Sequence, residues 1–338
     1  MMSERLSTRF RTFVILATVL LISLLALPIG PCAGEMTGPE RQAYYRAMKD
    51  SEKATPDEVC RELLAIVPGM DRVNAEKLRY YKIKWEGEEG KSRILVGAFM
   101  TKDDFVKWGY RENLEQHLET YSLTGSLWVT VVPELKNRFM GQESCPPSRH
   151  RVEKLLGLNS DYKKYEVIVE MWVNPWDLFR PSADPEITDH ESEPANKNGA
   201  GAWKFPIEKN PFIEYSAKQY IAYKGATPIS FKQWYSDNAA SSYKADPATP
   251  VAQWGVPWTR LGYTYDWGNP KDPVGLSEFI IRLNPKQGQI TVKLHDAIRA
   301  YDEPDNPSNW DGYFRCQFGQ DAQEVSWDAW SAFHVQPN

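Results

Sequence analysis

Hydrophobic and polar positions are unevenly spread along this chain. Residues 13–27 form an unbroken apolar run; Arg5, Arg9 and Arg11 precede it, and Pro28, Gly30, Pro31, Ala33 and Gly34 end it. Charged, then apolar, then small is the order of a secretory signal. The run is 15 residues long, short of the roughly 20 that a membrane-crossing helix needs. A retained anchor and lipidation at Cys32 are the alternatives, and all three readings export residues 35–338 to the periplasm or the outside. No second apolar run of that length follows, so no membrane contact is expected beyond this export segment.

Downstream the pattern switches between helical and strand periods. Thr55, Pro56 and Glu58 make a helix start, and Val59, Leu63, Leu64 and Val67 supply an apolar face that Pro68 and Gly69 end. Residues 80–85 and 93–99 read as a hairpin around the charged stretch 86–91. Thr101 and Asp104 can cap a helix to about Tyr121, with Leu114, Leu118 and Tyr121 at helical spacing. Residues 127–132 and 165–173 are apolar and β-branched enough for central strands. Two strands, a helix and two more strands predict an α+β fold of mixed, largely antiparallel sheets with helices packed on one face. Residues 181–211 are polar and rich in Pro, Gly, Asn and Glu, which reads as a long loop or linker. It divides a first α+β region, 35–180, from an aromatic-rich second one, 212–338, which is either separate or packed on the first as one domain. In the second region, Asn210 and Pro211 start a helix to about Lys224, and Ser230 caps another carrying Phe231, Trp234 and Tyr235. Residues 276–283 and 289–294 read as a second hairpin.

Charge and cysteine content narrow the compartment and the partners. The leader carries three arginines against Glu4, so removing it takes the formal charge from −5 to −7. An acidic chain without a basic stripe has nothing to neutralise phosphates, which argues against nucleic acid. Leader cleavage leaves Cys60, Cys145 and Cys316. In an oxidising compartment these allow one disulfide and one free thiol, with three possible pairings. The histidines are dispersed, and the acidic run from Asp184 to Glu193 lacks the spacing of a calcium loop, so no metal site is expected. There is no GxSxG, GxxxxGK[ST] or GxGxxG motif, and no cofactor is implied.

The densest aromatic stretch is residues 254–267, WGVPWTRLGYTYDW, where Gly255, Pro257 and Gly262 break up five large rings. Such a loop can fill a core or line a pocket. In the second case Arg260, Tyr263, Tyr265, Asp266 and Trp267 form a ligand surface, with flat rings to stack on a sugar or base and charged groups to orient its polar edge. Glu278 then heads the run 276–283, which a turn and the run 289–294 follow. That arrangement resembles the glutamate-bearing hairpin of ADP-ribosyltransferase-like toxin and NAD-glycohydrolase domains. The resemblance implies that Glu278 would be catalytic, stabilising positive charge on the ribose as nicotinamide leaves, while Arg260, Tyr263 and Tyr265 hold the dinucleotide. The chain departs from that family in lacking a glutamate two residues before Glu278 and a Ser-Thr-Ser strand, and in placing Arg260 close by rather than far upstream. A carbohydrate or cell-wall hydrolase, with carboxylates drawn from Glu170, Asp177, Asp266 and Glu278, is a further alternative. The leading reading is a non-enzymatic exported protein of the cell envelope that binds a small molecule, glycan or protein through its aromatic second region.

Overall fold

The computed structural model describes residues 36–69, 71–74, 79–192, 221–224, 227–283, 288–304 and 307–317. The expected export segment, the later part of the polar stretch and the start of the helix expected at Asn210 lie outside the described residues. Helix α1 (Gly38–Ser51) opens on a capping box in which the Thr37 side chain accepts from the Glu40 N–H and the Glu40 carboxylate accepts from the Thr37 N–H. The helix expected over 56–67 shrinks to one 3-10 turn, Pro56–Glu58, although the Thr55–Glu58 capping box does form. Beyond it the N–H groups of Leu63 and Ile66 donate to the carbonyls of His190 and Ile187 at 2.9 and 2.7 Å. Leu63, Leu64, Ala65 and Ile66 are all buried; four consecutive apolar residues covered on every side suit an extended chain, because a surface helix buries a single stripe.

Strand β1 (Asp71–Asn74) pairs with β2 (Arg79–Lys82). The hairpin expected between 80–85 and 93–99 is therefore reduced to its turn, held by the bridge Trp85↔Ile94 at the base of β3 (Ile94–Thr101). Thr101 caps the next helix by accepting from the Asp104 N–H, as its spacing suggests. That helix does not run to Tyr121. It is split into α2 (Lys102–Lys107) and α3 (Tyr110–Glu115) by Gly109, whose φ of 77° is left-handed and stops a helix at little cost. Tyr121 begins strand β4 (Tyr121–Leu123) instead. Strands β5 (Leu127–Val131) and β6 (Tyr165–Val173) fall where the apolar runs put them, with α4 (Val132–Asn137) and α5 (Arg149–Leu155) between them. Strand β7 (Leu178–Phe179) follows. Residues 221–224, expected to end a helix, are strand β8 (Ile221–Lys224), paired with β9 (Thr227–Ser230). Helix α6 (Phe231–Ser242) starts just after Ser230, where the cap was read. A short ribbon of β10 (Tyr263–Tyr265) and β11 (Val274–Ser277) precedes β12 (Phe279–Ile281), β13 (Ile290–Arg299) and α7 (Trp310–Tyr313).

The fold is α+β around a seven-stranded sheet in the order β4-β13-β6-β3-β5-β12-β7, with every neighbouring pair antiparallel. Strands from both sides of residues 181–211 share this sheet. β12 and β13 do not form the expected hairpin; β6, β3 and β5 stand between them. Both faces of the sheet are apolar, because β3 and β6 carry near-continuous apolar sequence rather than alternation. On one face Val96, Val129, Val169 and Val292 join Phe105 and Tyr110 of α2 and α3. On the other, Leu95, Ile168 and Trp172 pack on Leu135, Val152, Leu155 and Trp310 from α4, α5 and α7.

The sheet also curls. Flat, it would set β4 and β5 four strand spacings apart, about 19 Å, yet residues 124–126 alone connect them, a reach of about 14 Å at most. Cys145 and Cys316 form a disulfide with a Cα–Cα distance of 5.3 Å, joining the loop before α5 to the chain after α7, and Cys60 forms no disulfide. Among the described residues no helix is long and apolar enough to cross a membrane.

Candidate functional site

The aromatic segment is used in two ways. Trp258 is buried and its indole N–H donates to the Pro181 carbonyl at 2.9 Å. Trp267 is buried against Tyr44, edge-on at 5.4 Å, and donates to the Leu158 carbonyl. Asp266 is fully buried and bidentate with Arg151, at 2.8 and 2.6 Å. Arg260 stands at a φ of 59°, donates to the carbonyls of Ser51 and Glu52, and lies 5.0 Å over the Tyr243 ring. These side chains hold the segment to the body. Tyr263 and Tyr265 border two hollows. Their hydroxyls reach the Glu58 carbonyl and the Asp50 carboxylate on the side of the smaller one, a cleft of about 440 Å³ that Cys60 also lines.

The larger hollow, about 600 Å³, lies where the sheet divides. The ladder between β3 and β5 is confined to Val96↔Val131 and Gly97↔Thr130. Past that point β3 stays with β6, while Leu127, Trp128 and Val129 pair with β12. Phe99 and Met100 of β3 line the opening with Trp128 and Thr130 of β5, and Trp258, Trp108 and Tyr121 add their rings to its wall. A hollow of this volume with mostly aromatic and aliphatic walls has the character of a small-molecule site. Its charged lining consists of Asp104, Lys163 and Glu278. The first two are paired at 3.2 Å.

Glu278 differs from them. It immediately precedes β12, with its N–H donating to the Gly262 carbonyl at 2.9 Å. Its Oε2 is sealed from solvent and has no hydrogen-bond partner. Burial alone pushes the carboxyl up to about 8, with no cation beside it to hold it down. The group therefore carries its proton at neutral pH and can donate as well as accept a hydrogen bond.

The other carboxylates do not gather around it. Glu170 is buried on β6, with the His295 imidazole 3.9 Å away and Tyr313 alongside, and burial raises its carboxyl. Two strands, β3 and β5, stand between it and β12 in the sheet order. Asp177 accepts from Asn174 at 3.2 Å near the sheet edge. The acidic run from Asp184 surrounds the fully buried Arg180, whose Nη2 donates to the Leu64 and Asp189 carbonyls.

Of the site residues expected from sequence, Glu278, Tyr263 and Tyr265 border the cavity, whereas Arg260, Asp266 and Trp267 do not line it. Trp128, Thr130 and Phe99 were missed. The alternation of Trp128 and Thr130 against Leu127, Val129 and Val131 was visible as two faces, but the divergence of β5 from β3 has no local signal. Comparison with known proteins finds no matching family model, no similar curated protein and no similar solved structure, so the fold and this cavity are what bear on function.

Proposed function

We propose that this chain is an exported binding protein of the cell envelope whose cavity at the β3–β5 divide takes a small, largely apolar ligand, oriented by Glu278. The observation that carries this is a carboxyl with a sealed, unpartnered oxygen on the wall of a roomy aromatic cavity. A buried polar group left unmade costs about 1–3 kcal/mol, and a ligand that completes it recovers that cost. The Cys145–Cys316 disulfide supports the export part of the reading, since such bonds persist in oxidising compartments. Binding is favoured over cleavage of a nicotinamide dinucleotide because the Arg260 guanidinium is turned to backbone carbonyls and Tyr243, leaving no free cation for phosphates on this wall.

Titration with the neutral fluorophore N-phenyl-1-naphthylamine tests the cavity. Saturable binding is expected, weakened about tenfold by Trp128→Ala, a change at a partly exposed ring that leaves the core intact. Absence of saturation, or no effect of Trp128→Ala, would remove the reading.

A further inference from the structure

Charge around the cavity is one-sided. Lys163 is neutralised by Asp104, and Arg260 faces away, bonded to Ser51 and Glu52. The remaining ionisable carboxyl on the wall is Glu278. The Tyr243 phenol, just after α6, interacts with it electrostatically, donates to the Trp258 carbonyl and carries the Arg260 guanidinium 5.0 Å over its ring, and Tyr263 of β10 lines the same cavity. An anionic ligand would meet a carboxyl and the negative faces of aromatic rings. A cation would meet the two things that attract it, a carboxyl that can ionise and whose Oε2 has no partner, and indole rings on the same wall. Trp128 and Trp258 stand edge-to-face at 5.9 Å, and the Trp258 N–H is committed to Pro181, which leaves its ring rather than its polar tip to the cavity side.

Resting on the cavity reading above, we infer that the ligand is an amphipathic organic cation, an ammonium or guanidinium group on an apolar body. Its charge is seated at Glu278 and its body extends along the β3–β5 divide toward Trp108 and Tyr121. Docking exchanges protons in a defined way. At pH 7 the carboxyl is protonated and a primary amine arrives as the ammonium ion. The ion pair forms as the carboxyl gives its proton to the buffer, so one ligand binds and close to one proton leaves, about 0.9 for a group titrating near 8.

The test uses three probes of one shape, tryptamine, tryptophol and indole-3-propionate, each displacing the neutral fluorophore from the whole mature chain. Tryptamine is expected to bind at least tenfold more tightly than tryptophol, with indole-3-propionate weakest. Glu278→Gln should abolish the preference for tryptamine, leaving tryptamine and tryptophol equal in affinity. Calorimetry in buffers of different ionisation enthalpy should find proton release with tryptamine and none with tryptophol. Equal affinity for amine and alcohol, or a preference for the carboxylate, overturns the cationic assignment while leaving the cavity reading standing. Loss of fluorophore binding by the parent protein overturns the cavity reading itself. A preference that survives Glu278→Gln places the cation elsewhere and overturns the role of Glu278.

Discussion

Asp266 and Glu278 are both carboxylates flanked by aromatic residues and both candidates from sequence, the first fully buried and the second with one oxygen sealed, yet the structure treats them oppositely. Asp266 meets a guanidinium in a two-pronged pair and also accepts from the Gly268 N–H at 3.1 Å. Glu278 has a sealed oxygen with no partner. The first arrangement fastens α5 to the segment after β10; the second leaves an unmet electrostatic need facing a hollow. Burial of a charge is thus uninformative by itself, and it is the presence or absence of a partner that distinguishes these two carboxyls.

Breaking the Asp266–Arg151 pair should have the largest effect. Asp266→Ala leaves Arg151 without its partner and is expected to lower stability in urea unfolding by about 3–5 kcal/mol; a loss under about 1 kcal/mol would erase the contrast. Glu278→Gln should act in the other direction and depend on pH. The folded carboxyl titrates near 8 and the unfolded one near its ordinary 4.5. Between those values the folded chain holds a proton that the unfolded chain releases, so parental stability falls as pH rises through that window. The glutamine variant lacks this slope, and its advantage over the parent should grow by about 4 kcal/mol from pH 5 to pH 8.5. A pH-independent difference between the two melting curves would show that Glu278 is already partnered. Tyr265→Phe should matter least. It removes one hydrogen bond, 2.7 Å to an exposed Asp50 carboxylate, and should cost about 0.5–1 kcal/mol.

What the sequence revealed divides along the same line. The strands β5 and β6, the Thr101 cap and the α+β class were legible because each rests on a local pattern of a few residues. The pairing of Cys145 with Cys316, the Arg151 partner of Asp266 and the division of the sheet were not, because they join positions more than a hundred residues apart or depend on where a ladder stops. The failed helix over 56–67 shows the reason at small scale. Val59, Leu63, Leu64 and Val67 have helical spacing, but Ala65 and Ile66 are buried as well, and covering them requires the distant 187–190 stretch.

The short connection at residues 124–126 has a consequence of its own. It works as a chord across an arc: by holding β4 close to the start of β5 it sets the curvature of the sheet, and with it the aperture of the opening between β3 and β5. The width of this hollow is therefore adjustable from a loop, the part of a protein most open to insertion, which itself lines the hollow, with Glu278 unchanged. Inserting two glycines after Gly125 and repeating the fluorophore titration would read this directly, as a shift in preference from small probes to wider ones.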